Sequence, residues 1–435
     1  MFKPHYRSKL RDALNSGLQG LFSDARQNLF RRRQEARPAG GARKMSAAEI
    51  DDLARRVIVP SLPTSDEERA RATHQDAGQK LARQDRWADL SRRIRHADAT
   101  RLTTPGGETA SLLLAFGARS DVVAAAEDAL SDGVVPDPAG IAALDEVSAE
   151  MPGDYACALV IALAHLDIAW AWHTQMFETA PEQSLTEASH HLESAARMLE
   201  PHDGAALDAP SLVAAQCALD AIRETRGRHL ADDYARLIEM DPYGQRHMRA
   251  MGRHLLPFLA SHPTIIEVEA RRIALLTSDT WGKGGYAWVC LDALIGDERV
   301  MELLDPEFFI EAMRDILVHR RDQHTVNQFA AFCAISMAPR GAGTRLSRQA
   351  EETRAQLHAC LDWVVADHMQ ELHPLIWSQT LLAADEYRML PPRRALAVGG
   401  RQIALRIIAT RFADQLADGS AIAFSPHGMY RLPAL

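Results

Sequence analysis

The 435-residue chain is 47% hydrophobic and 25% charged, proportions of an ordinary globular protein, and its net charge is −9. That charge is uneven: residues 1–45 hold 11 Lys and Arg against 3 Asp and Glu, and the remainder holds 38 against 55. An acidic body repels phosphate, which argues against nucleic-acid binding. Aromatic residues are sparse at 6% and alanine is plentiful, a composition of closely packed helices rather than sheets. Cys157, Cys217, Cys290, Cys333 and Cys360 are odd in number and widely spaced. They fit reduced, buried thiols in a cytoplasmic protein, not a disulfide frame or zinc site. The charged N-terminus lacks the apolar core of a secretion signal.

Residues 1–34 read as a basic amphipathic helix, with Leu10, Leu14, Leu18 and Leu21 on one face and Arg7, Lys9, Arg11 and Arg31 to Arg33 supplying charge. Four roles are open to it: docking on the acidic body, docking on a partner, lying on an anionic membrane surface, or, least favoured, binding nucleic acid. Residues 35–46 have the composition of a flexible linker. Asp66, Glu67 and Glu68 then open what reads as one long, solvent-facing helix reaching Arg95. Residues 155–172 are nearly apolar over membrane length but contain His165 and Asp167, the mark of a buried core helix.

From Ala231 to Met337 short amphipathic helices alternate with tight turns, twice around an Asp-Pro pair, in "LIEMDPYG" and "MELLDPEFF". In each pair the aspartate is placed to cap the next helix and the proline to occupy its first turn. These helix-end phrases resemble the hairpins of the tetratricopeptide-like α-solenoid superfamily. The resemblance implies an all-α array of antiparallel hairpins with a concave face for peptides or proteins. Residues 47–340 are the expected array and residues 341–435 a set of C-terminal helices with an extended tail.

No motif fixes a reaction. The loop "WGKGGYAW" lacks the spacing of a phosphate loop, so Trp281 and Trp288 read as packing around a turn, or as a binding loop with Lys283. Glu187 and His190 form a lone ExxH where a di-iron bundle needs two, so no metal site is expected. Trp170 and His173 could line a ligand pocket. Arg321, His324 and Asn327 gather polar groups at a hairpin corner. Inner-helix asparagines hold peptide backbones in tetratricopeptide grooves, which is the role the resemblance implies for Asn327. The chain is accordingly expected to be a non-catalytic protein- or peptide-binding scaffold with no cofactor. The alternatives are an α-helical enzyme or small-molecule sensor with a pocket near Trp170, His173 and the Trp281–Trp288 loop, and a peripheral membrane protein anchored by residues 1–34.

Overall fold

A computed structural model describes residues 45–62, 64–176, 179–223, 227–339, 347–381 and 391–434. The basic helix expected at 1–34 and nearly all of the 35–46 linker lie outside them. Helices dominate the described residues, with one small sheet. They divide into two compact units, Asp66–Gly296 and a second built from the residues before Asp66 together with those from Asp297 onward.

The chain opens in the second unit with α1 (Ala47–Ala54). Ser46 Oγ accepts from the Glu49 amide at 3.2 Å and the Glu49 carboxylate accepts from the Ser46 amide at 2.6 Å, a reciprocal cap. β1 (Val57–Ile58) follows.

The first unit runs α2 (Asp66–Arg83), α3 (Trp87–Ala99), α4 (Ala110–Ser131), α5 (Ala139–Glu150), α6 (Tyr155–Met176), α7 (Pro181–Leu199), α8 (Pro210–Arg223), α9 (Gly227–Met240), α10 (Gln245–His254), α11 (Ile265–Leu276) and α12 (Gly284–Gly296). Many helices touch both their successor and the helix after that: α6 packs on α7 and α8, while α2, α4, α6, α8 and α10 pack in series. That pattern is compatible with a helical solenoid. α6 is apolar all round and 94% buried over its span Tyr155–Thr174, as a core helix must be.

The single long helix expected up to Arg95 is two helices. Asp85 adopts the left-handed conformation (φ 54°) and the Arg86 amide reaches back to the Leu81 carbonyl at 2.9 Å, a helix-terminating turn that glycine usually provides. Nor does α3 face solvent: Trp87, Leu90 and Ile94 are buried in the core beside α6. The two Asp-Pro phrases also part ways. Asp305 caps the helix after it, accepting from the Phe308 amide at 3.0 Å with Pro306 in the first turn. Asp241 does not; the extra Tyr243-Gly244 delays α10, and the Asp241 carboxylate turns inward to His247 at 3.2 Å.

From Asp297 the second unit continues through α13 (Pro306–His319), α14 (Gln323–Ala331), α15 (Arg348–Ala359), α16 (Pro374–Leu381) and α17 (Arg393–Arg411). The tail forms β2 (Ala421–Ser425) and β3 (Gly428–Leu432), an antiparallel hairpin whose inner strand pairs in parallel with β1. Strands were not evident in the sequence, and this sheet explains how residues near 57 join the C-terminal unit. Arg406 also grips Asp51 through two hydrogen bonds of 2.6 and 3.0 Å, holding α1 on α17.

Glycines set the closest helix crossings. A Cβ at Gly117 would lie 1.9 Å from the Gln75 carbonyl oxygen, and one at Gly78 2.0 Å from that of Leu114, so α2 and α4 meet backbone to backbone. Gly117→Ala is therefore expected to destabilise the first unit by about 1–3 kcal/mol in urea denaturation, the usual cost of overpacking. Gly140→Ala, whose Cβ would meet only Val122 at 3.4 Å, should be neutral or stabilising.

Candidate functional site

A concavity with convergent charge opens between α7, α8 and α9, a cleft of about 780 Å³. Its floor is apolar, formed by Leu199, Val213, Cys217 and Leu219. Five carboxylates line it, Glu193, Glu200, Asp203, Asp220 and Asp233, against two cations, Arg197 and Arg236. The α7–α8 connection is pinned locally. Asp203 Oδ1 accepts from the amides of Ala205 and Ala206 at 3.0 and 3.1 Å, and Gln216 donates to the His202 carbonyl at 2.9 Å. Glu193, Glu200 and Asp233 have no hydrogen-bond or ion-pair partner among the described residues. The cleft is thus an electronegative trough over an apolar floor, suited to a cationic, partly apolar ligand. Its one thiol is inert: burial, with Asp233 and Asp220 nearby, pushes Cys217 well above the ordinary thiol range.

The residues singled out from sequence lie elsewhere, in three groups. Trp170 and His173, one turn apart on α6, have ring centroids 5.8 Å apart; Trp170 is half-buried and His173 buried. Trp281 and Trp288 meet edge-to-face at 6.0 Å, both buried, and the Trp281 indole donates to the Pro242 carbonyl at 2.7 Å. Between them Gly282 is left-handed (φ 57°) and Lys283 is exposed at the start of α12.

The third group is in the second unit. Arg321 is exposed on the turn before α14. Asn327 faces inward, fully buried, with every bonding capacity engaged. Its Nδ2 donates to the carbonyls of Gln323 and Glu371, both at 2.8 Å. Its Oδ1 accepts from the His373 amide at 2.9 Å and the Trp377 indole at 3.0 Å. Nothing is left on that side chain for a peptide. His324 is half-buried, its ring 6.4 Å from that of His373, which contacts Glu371 at 2.8 Å.

The first unit also contains buried ionisable groups that sequence spacing did not connect. Arg119 on α4 donates to Asp167 on α6 at 2.7 Å, with the two residues only 2% and 7% exposed. Asp145, His165 and His191, from α5, α6 and α7, form a chain: His165 Nε2 lies 3.1 Å from Asp145, and the two histidine Nδ1 atoms are 2.8 Å apart. One ring donates there and the other accepts. Burial, with His165 beside it, holds His191 down at about 3.

Sequence reasoning missed the cleft carboxylates because they are scattered over 40 residues on solvent-facing turns. The available signal was charge: Asp66–Gly296 hold 21 Lys and Arg against 35 Asp and Glu. Set against known proteins, the chain matches no family model, no curated protein and no solved structure.

Asn327→Ala would strand a buried indole, an amide and two carbonyls, and is expected to cost about 3 kcal/mol or more in chemical denaturation. His191 gives a pH dependence. Its folded value is depressed below the ordinary 6.5, so its contribution is intact above pH 6.5. As pH falls from there toward about 3 the unfolded chain takes up a proton that the folded chain does not, and stability declines. The urea midpoint should therefore drop between pH 7 and 4.5, and drop less in His191→Gln.

Proposed function

We propose that this chain is a non-catalytic binding scaffold of tetratricopeptide-like hairpins, and that the α7–α9 cleft receives a cationic segment of a protein or peptide partner. The observation that carries this is the cleft's combination of an apolar floor with a carboxylate majority, three of whose members have no partner among the described residues. The packing of α2, α4, α6, α8 and α10 in series supports the array, since such layering presents helix ends and turns along an extended surface. Five buried free thiols suit a reducing, cytoplasmic setting.

The alternative of an enzyme or sensor with a pocket near Trp170, His173 and the Trp281–Trp288 loop draws less support, because His173, Trp281 and Trp288 are spent on packing. The thiols are no better placed for catalysis, with Cys157 pushed up to about 12 by burial and Asp154. Asn327 is a stabilising node in this reading, and the partner is recognised by charge rather than by an asparagine clamp.

A fluorescent nona-arginine peptide tests the cleft directly. The full chain is expected to bind it with an affinity that falls as salt is raised, and Glu193→Lys with Asp233→Lys should weaken binding by about tenfold or more at unchanged melting temperature. Equal binding by the double variant would assign recognition to another surface.

A further inference from the structure

The α7–α9 cleft is rimmed by charges of both signs in a regular order. Along α7 and its capping residue the rim runs Glu193, Arg197, Glu200, at i, i+4 and i+7, and α9 adds Asp233 and Arg236 one turn apart. Residues at these spacings share a helix face and are within reach of pairing. They do not pair here. Arg197 donates instead to Ser194 Oγ at 2.8 Å, and Arg236 makes no hydrogen bond or ion pair among the described residues. Both arginines are exposed. The rim thus presents its charges to the cleft separately, negative and positive alternating by about a turn.

We infer that the cleft selects a helical segment of mixed charge, in which basic residues flank an acidic one at turn spacing, and that Arg197 and Arg236 read the acidic group. This rests on the cleft being the binding site proposed above and adds the chemical class of its ligand. Carboxylates alone would favour any polycation. Two arginines in the same trough change that, because a uniformly positive ligand must set like charges against each other, and such contacts discriminate between partners. A ligand carboxylate placed there meets a planar guanidinium that can take it through two parallel hydrogen bonds. The basic residues on either side of it meet Glu193, Glu200 and Asp233, and its apolar positions cover the floor at Val213 and Leu219. Charges three and four residues apart rise by about 4.5–6 Å along α7, and a second helix laid against it repeats that rise with all three side chains on one face. Exposed ion pairs are individually weak, so the arginines set preference among cationic ligands and not overall affinity.

Fluorescence anisotropy with the full chain tests this. The probes are nona-arginine and an alanine-based helical peptide with arginine, glutamate and arginine at i, i+4 and i+7 on one face, beside a control carrying glutamine in place of each glutamate. The wild-type chain is expected to bind the glutamate peptide about threefold more tightly than the glutamine control, although the control has more net positive charge. In Arg197→Gln with Arg236→Gln that preference should vanish, while nona-arginine should bind about threefold more tightly than to the wild type. The variant also controls for the extra helicity that internal Glu–Arg pairs give the peptide. Arg236→Gln alone, which breaks no bond among the described residues, should change both affinities in the same direction. Melting temperatures should hold, since both side chains are exposed. No binding of the glutamate peptide, equal binding of it and its control, or a preference that survives the double variant would overturn the proposal.

Nona-arginine separates this failure from failure of the binding site itself. If it binds the wild-type chain and Glu193→Lys with Asp233→Lys weakens it, while the glutamate peptide shows no preference, the cleft stands and the assignment of Arg197 and Arg236 falls. If nona-arginine binds that lysine variant and the wild type equally, or binds neither, the cleft falls and the assignment with it.

Discussion

A helix with no polar face has to be surrounded, and α6 imposes that condition on the first unit. Its alanines, leucines and valines leave no side fit for water, and at 22 residues it is too long for one neighbour to cover. α4, α5, α7 and α8 lie against it, and α3 adds Trp87, Leu90 and Ile94 to the same core. Small side chains let these helices approach closely, and at Gly78 and Gly117 the approach between α2 and α4 is limited by the backbones themselves. The outer helices thus take their positions from what α6 and α4 require.

The polar groups carried into this core are held by specific partners. Asp167 and His165 sit on α6 among apolar neighbours, answered by Arg119 from α4 and by Asp145 and His191 from α5 and α7. Asp98 is likewise buried, its carboxyl raised by desolvation and held by hydroxyls of Ser211 at 2.6 Å and Tyr155 at 3.1 Å. Such contacts add little net stability, but losing one partner leaves a desolvated charge that costs about 3–5 kcal/mol. Their effect is on register, since α4, α6 and α7 cannot slide without separating them. The second unit uses Asn327 in the same way, tying α14 to the start of α16.

Only groups outside these networks are free for recognition. Of the cleft carboxylates, Glu193, Glu200 and Asp233 qualify, since no partner among the described residues consumes them. Pocket, charge and partner chemistry follow from what the core left over. The tryptophans that drew attention in the sequence are large enough to be needed for packing, and Trp288 and Trp281 are used that way.

Periodicity and composition by themselves determined the helical class, the burial of residues 155–172 and the inert thiols, because these depend on side-chain type and local spacing alone. Charge counting located the opposition between the first 45 residues and the body. Helix-breaking by Asp85 was invisible, since aspartate enters the left-handed region only when the surrounding chain supplies the closing bond. The buried bonding of Asn327 was invisible for a related reason: an amide on a helix reads the same whether it faces solvent or a neighbour 44 to 50 residues away. Strand pairing between residues near 57 and 422, the Asp145–His165–His191 chain and the cleft are contacts between distant segments. Only tertiary structure decides these, because which faces meet is set by how the helices pack around the apolar α6.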